Sequence, residues 1–154
     1  MNKFCKNLAK EAHQKDLWHR VFTCIIVNPK NKTIILQKKV PGRYSFDRPD
    51  YLDINVGEHY KAGELIRQGV REIEEEIGIK VKFKDLISLG IRQTAETVSK
   101  NYIANEFQHI FLYPPIRKLE DYKLDNTEVN GLVELHIQDA IGLLLQKKDR
   151  IKGI

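Results

Sequence analysis

The chain has 154 residues, 42% hydrophobic and 31% charged, which suits one folded domain spanning residues 1–154. No apolar run approaches a membrane span, MNKFCKNLAKEAHQKD lacks a secretory signal's apolar core, and two cysteines, Cys5 and Cys24, exclude a disulfide scaffold, so a cytoplasmic protein is expected. Lys and Arg exceed Asp and Glu by five, and a pI near 9.1 points to anionic partners.

Phe4, Leu8 and Ala12 share a face at spacing four, which predicts a short helix over 1–12. VFTCIIV (21–27) and TIILQKK (33–39) read as strands from their β-branched content, and the turn chemistry of 28–32 joins them as a hairpin. VPGRYSFDRPDY (40–51) reads as a loop leading to a short apolar stretch, Leu52–Val56, and GEHYKAGE (57–64) as another loop. A helix is expected over 64–79, with Leu65, Val70, Ile73 and Ile77 as its apolar stripe and Gly78 as a left-handed cap. Gly69 inside it costs about 1 kcal/mol relative to Ala, so a close approach to the sheet is expected there. Residues 81–93 and 105–113 read as strands separated by a polar stretch, 129–137 as a short strand and 139–148 as an amphipathic helix. This order predicts an α+β fold, a mixed β-sheet sandwich with helices outside, rather than alternating βαβ units.

The chemistry concentrates in Arg71-Glu-Ile-Glu-Glu-Glu-Ile-Gly-Ile79. Glu72, Glu75 and Glu76 fall at i, i+3 and i+4 and share one helical face, while Glu74 points elsewhere. Three like charges repel, and they lie toward the helix end that the dipole reserves for cations. A hard divalent cation would relieve both penalties; a solvated acidic face gives the same run. Glu64 lies near the helix start, within two turns of Arg71.

This segment resembles the Nudix box, the loop–helix–loop signature of the Nudix hydrolases. Its second half matches from Arg71 to Ile79. Its first half departs: the box glycine falls at Glu58, with Gly57 one residue earlier, and six residues rather than seven separate Glu64 from Arg71. The resemblance implies a Nudix fold and hydrolysis of a diphosphate linkage in a nucleoside diphosphate derivative or related pyrophosphate. It implies Glu72, Glu75 and Glu76 as ligands of Mg²⁺ or Mn²⁺, with His59 beside them, and Arg71, Glu72, Glu75 and Glu106 as the catalytic set. Glu128 is a second candidate base.

Leu17-Trp-His-Arg-Val-Phe22, Gly57-Glu-His59 and Asn105-Glu-Phe107 also resemble type I isopentenyl diphosphate isomerase, a Nudix-fold enzyme. That resemblance implies a second metal site at His13, His19, His59 and Glu106. Ala104 stands where the isomerase has a further glutamate, and Gly57 where it has its catalytic cysteine. The branch therefore looks isomerase-like but hydrolytic, with isomerase activity and a non-catalytic nucleotide-binding module as alternatives. The N-terminus looks short for this branch, which makes an edge strand supplied by a partner, and so a homodimer, conceivable.

Lys38, Lys39, Arg43 and Arg20 are the candidate substrate-binding cations; a solvated edge guarded by lysines is the structural alternative for the strand lysines. Trp18 and Tyr44 are candidates for stacking, with packing the simpler role for Trp18. His109 and His136 read as structural. Residues 57–79 carry a net charge of −3, leaving +8 for the remainder. An acidic segment in a basic body suits a small phosphorylated substrate with its metal better than a nucleic-acid surface, with RNA ends still open; no membrane partner is expected.

Overall fold

The computed structural model describes residues 11–42, 52–54, 56–100 and 102–147. Most of the leader expected to be helical, and Arg43 and Tyr44, lie outside the described residues; residues 11–14 are helical. The described strands are β1 (His19–Asn28), β2 (Thr33–Lys39), β3 (Leu52–Ile54), β4 (Val56–His59), β5 (Ile87–Ser99), β6 (Tyr102–Tyr113) and β7 (Val129–His136). A 3₁₀ turn (Ile66–Val70) runs into α1 (Arg71–Ile77), and α2 (Ile137–Leu144) follows β7. No helix among the described residues is long and apolar enough to cross a membrane.

β1 is the hinge of the sheet. One of its edges pairs in parallel with β6 from His19↔Glu106 to Ile26↔Tyr113. Its other edge is divided, pairing antiparallel with β4 over Val21–Cys24 and with β2 over Ile26–Asn28. β2 then leaves with β3 and β7, so the seven strands split into two groups sharing β1 and β2. The expected α+β fold with a mixed sheet is what forms.

Because side chains alternate along a strand, register assigns the faces. Phe22, Cys24, Ile26 and Phe111 line one face and pack with Ile73 and Ile77 of α1 as the core. Val21, His19, His59 and Glu106 belong to the opposite face. α1 buries Ile73 and Ile77 against the sheet together with Glu72 and Glu76, and leaves Glu74 and Glu75 exposed.

Four local expectations change. Gly57-Glu58-His59 is strand rather than loop, because pairing with Val21, Phe22 and Thr23 of β1 overrides its weak β-propensity. The helix expected over 64–79 is a 3₁₀ turn before a seven-residue α-helix. The strand expected over 81–93 begins at Ile87, after a 3₁₀ turn (Phe83–Asp85), and runs to Ser99; the polar stretch after it belongs to a long β5–β6 hairpin. The last described helix ends at Leu144, not 148.

Two glycines are required by contact. A Cβ at Gly69 would stand 2.6 Å from a ring carbon of Phe22 and 2.8 Å from the Tyr60 ring, which is the close approach its helical cost implied. Gly78 adopts φ +71°, and a Cβ there would meet the Lys123 carbonyl at 2.6 Å.

Candidate active site and metal centre

Arg71 organises the carboxylates of α1. Its Nε donates to Glu64 Oε1 at 2.8 Å and Nη2 to Glu64 Oε2 at 3.3 Å, while Nη1 reaches both oxygens of Glu75 at 3.2 Å and also touches Glu72. Glu64 is itself fixed, accepting from the Lys61 amide at 2.7 Å. The 3₁₀ turn advances the chain faster per residue than an α-turn, which lets Glu64 meet Arg71 despite the shortened spacing. Burial pushes Glu72 up to about 8, with the charges of Glu75, Glu58 and Glu76 acting in the same direction and Arg71 opposing. Glu75 is half-exposed.

Glu76 is buried and accepts hydrogen bonds at both oxygens. Lys39 Nζ donates to its Oε2 at 2.8 Å and Gln37 Nε2 to the same oxygen at 3.0 Å, while the Gly57 amide donates to Oε1 at 3.3 Å. Burial pushes its pKa upward even so. Glu128 lies near enough for its charge to act in that direction too. Glu74 is exposed and lies 3.5 Å from Lys80, off the shared face as its spacing required.

On the other face of the sheet, His13, His19, His59 and Glu106 bring one ligand atom each to within 4.8 Å of one another. His13 arrives from the helical leader, His19 opens β1, His59 closes β4, and Glu106 lies on β6 opposite His19. Each imidazole is held from outside through Nδ1: His13 by the Ile103 carbonyl at 2.9 Å, His19 by the Leu17 carbonyl at 2.8 Å and His59 by Glu58 Oε1 at 2.8 Å. Those oxygens accept, so Nδ1 carries the hydrogen and a neutral ring presents its Nε2 lone pair inward. His13 Nε2 and His59 Nε2 stand only 3.0 Å apart, and buried His19 Nε2 has no hydrogen-bond partner, with Glu106 Oε1 at 3.9 Å. Two Nε2 atoms this close need a hydrogen on one of them, or a cation that both can ligate. Burial lowers the pKa of His13 and of His19, favouring a metal over a proton there. Outer oxygens fixing the tautomer are the usual support of metal-bound histidines. Three imidazoles and a carboxylate suit Mn²⁺ or Zn²⁺ better than Mg²⁺, which prefers oxygen ligands. The residues present fit a metal.

The model of the NUDIX domain matches residues 17–152. The chain belongs to the Nudix family. It is 38% identical over 144 residues to an uncharacterized Nudix hydrolase of Clostridium acetobutylicum, covering 92% of this chain and 68% of that one. Two similar solved structures share the fold. DR0079 from Deinococcus radiodurans has a TM-score of 0.62 at 16% identity, over 84% of this chain and 74% of that one. The dihydroneopterin triphosphate pyrophosphohydrolase of E. coli has a TM-score of 0.60 at 18% identity, over 80% and 84%. As a Nudix hydrolase, the chain is a pyrophosphohydrolase that acts on small phosphorylated substrates.

The Nudix box residues Arg71, Glu72, Glu75 and Glu76 fall together, but His59 joins the other histidines across the sheet rather than the box carboxylates. Among the basic candidates, Lys39 is held by Glu76. Arg20 donates to the Glu64 carbonyl at 2.7 Å and lies over the Tyr60 ring. Lys38 points away from Gln37 and Lys39, as alternate strand positions must. Trp18 is exposed and tilts against Phe107, and His109 packs edge-on to Tyr60. Sequence reasoning missed Glu58 and Gln37. Glu58 is the outer partner of His59 and also lies close enough to influence Glu72, so it links the two centres. The only sequence signal for it was its place beside Gly57 and His59.

Proposed function

We propose that this Nudix enzyme is a metal-dependent hydrolase of a diphosphate linkage in a nucleoside diphosphate derivative or related pyrophosphate, acting by attack of water at phosphorus. The observation that carries the reading is the Arg71 cluster, which fixes Glu72 and Glu75 side by side at the margin of the sheet. Glu72, Glu75 and Glu76 would hold Mg²⁺ or Mn²⁺, and His13, His19, His59 and Glu106 a second ion. Bound metal supplies charge neutralisation at the phosphate oxygens and a lowered pKa for water. Glu75, the most open of the three box carboxylates, takes the proton of the attacking water. Arg71 holds Glu75 in place, and Glu106 acts as a ligand rather than a base because it faces His19. The acidic site in a basic chain favours a small substrate in the cytoplasm over a nucleic acid or membrane.

The three-histidine cluster favours a second reading, isomerase-like proton transfer at an allylic carbon. Gly57 has no side chain to perform it, so hydrolysis is the better-supported reading.

The test is incubation in ¹⁸O-labelled water with Mg²⁺ or Mn²⁺ and a panel of nucleotide sugars, dinucleotides, nucleoside triphosphates, and prenyl and thiamine diphosphates. One or more compounds should be cleaved, with label in a phosphate product. Absence of cleavage with every compound and both ions would overturn the proposal, and hydrogen exchange into isopentenyl diphosphate would favour the second reading.

A further inference from the structure

β5 is the longest described strand, and it ends the sheet. β6 pairs with one of its edges, and among the described residues no strand pairs with the other. An open edge offers a row of backbone N–H and C=O groups to another strand, and proteins usually blunt it with brevity, lysine or proline. β3, at the opposite end of the sheet, has only three residues. β5 has thirteen residues and contains neither Lys nor Pro. Its register shifts between Ser88 and Gly90 and again between Thr97 and Ser99, which leaves Gly90–Thr97 as a regular ladder. Every residue of that ladder is exposed except Thr94, which is half-buried.

The only charged residues of β5 are Arg92 and Glu96, which share one face with Thr94 between them. Neither side chain has a partner among the described residues. Four positions along a strand, they stand about 13 Å apart, too far to pair with each other. Across an edge shared by two copies they can. A closed dimer built from one edge is isologous, with the two strands antiparallel about a two-fold axis. With that axis at Thr94, Arg92 faces the partner's Glu96 and Glu96 faces the partner's Arg92. The paired stretch is then 91–97, which lies inside the regular ladder. An axis at Arg92 or at Glu96 sets like charges opposite each other, which destabilises a sheet. No other axis brings Arg92 and Glu96 face to face.

We propose that β5 is a dimerisation edge: two copies of this chain pair antiparallel through β5 about an axis at Thr94, with two Arg92–Glu96 ion pairs across the interface. Ladder hydrogen bonds supply the attachment, and the charges select a second copy in this register over an unrelated strand. On the α1 side of the sheet, Ile91 is 62% exposed in the single chain. In the dimer it lies against the partner's Thr97 and diagonal to the partner's Ala95. The sheet order β5–β6–β1–β4 puts the interface three strands from β4, on which α1 packs. Both sets of box carboxylates therefore stay open, and the proposal is independent of the substrate.

The experiment is sedimentation equilibrium of the full chain for wild type, Arg92→Glu, Glu96→Arg and an equimolar mixture of the two variants, with circular dichroism to follow folding. A single strand edge is a small interface, so wild type is expected to dimerise reversibly with a dissociation constant of about 10–100 μM. Each reversal sets like charges against each other in both pairs and should weaken dimerisation about tenfold or more. The mixture restores two opposite-charge pairs, so a heterodimer should return at close to wild-type strength. Wild type that stays monomeric at about 500 μM overturns the proposal. So do single variants that dimerise as wild type does, which would place the contact elsewhere, and a mixture that stays monomeric. If a reversal disturbs folding, Arg92→Gln and Glu96→Gln take its place. Each removes both ion pairs and should weaken dimerisation about threefold or more, and wild-type dimerisation in both would overturn the proposal.

Discussion

Lys39 Nζ and Glu76 Oε2 form a buried ion pair 2.8 Å long that ties β2 to the last turn of α1. A divalent ion held by Glu76 would share that carboxylate with the lysine. In the metal-free protein it offsets the charge of a carboxylate that has lost its water.

Replacing Lys39 with Met leaves Glu76 with Gln37 and the Gly57 amide but no countercharge. Removing one partner of a buried pair costs about 3–5 kcal/mol. Urea unfolding of Lys39→Met should show a loss of that order without metal and partial recovery in saturating Mn²⁺, so its Mn²⁺-induced stabilisation should exceed that of wild type. An equal metal increment in both proteins would show that Lys39 and a metal do not share Glu76.

Glu72 makes metal-free stability depend on pH in an unusual direction for a carboxylate. Its pKa rises from 4.5 to about 8, chiefly through burial. Between those values the unfolded chain has released the proton and the folded chain retains it. This contribution is therefore fully present below about pH 4.5 and declines as pH rises through about 8. Chemical denaturation across that window should show the decline in wild type but not in Glu72→Gln. Parallel pH profiles for the two proteins would contradict the assignment.

At the histidine centre, Co²⁺ titration followed by its visible absorption should detect binding. Affinity should fall about 10- to 100-fold in His19→Ala, and Glu58→Ala should weaken it too by freeing His59 Nδ1. The pKa values of His13 and His19 lie below the ordinary 6.5, so competition from protons at these two rings sets in only below about pH 6.5. Unchanged Co²⁺ affinity in His19→Ala would exclude the four-residue centre.

Gly69→Ala should destabilise the fold by about 1–3 kcal/mol, because overpacking against Phe22 and Tyr60 outweighs the roughly 1 kcal/mol helix-propensity gain. A stabilised variant in urea unfolding would show that the two rings yield freely.

Much of this arrangement was legible in the sequence because it rests on local spacing. Glu72, Glu75 and Glu76 follow helical geometry, Gly78 follows cap chemistry, and Glu64 could be matched to Arg71 by reach alone. The resemblance to the isomerase brought His13, His19, His59 and Glu106 together, although no spacing predicts that residues so far apart converge. What remained hidden depends on register between distant strands. Nothing local says that Lys39 would face Glu76 rather than a phosphate, or that Gly57–His59 would be pulled into β4. Each follows only once β1 divides one edge between β4 and β2 and gives the other to β6.

The most direct test of metal-assisted hydrolysis at the box carboxylates is the initial rate of Glu75→Gln against wild type, on whichever panel compound wild type cleaves, with Mg²⁺ saturating and thermal unfolding monitored in parallel. The account predicts a fall of about 10²-fold or more with the fold intact, and loss of wild-type turnover in excess chelator. Wild-type rates in Glu75→Gln, or turnover that persists in chelator, would contradict it.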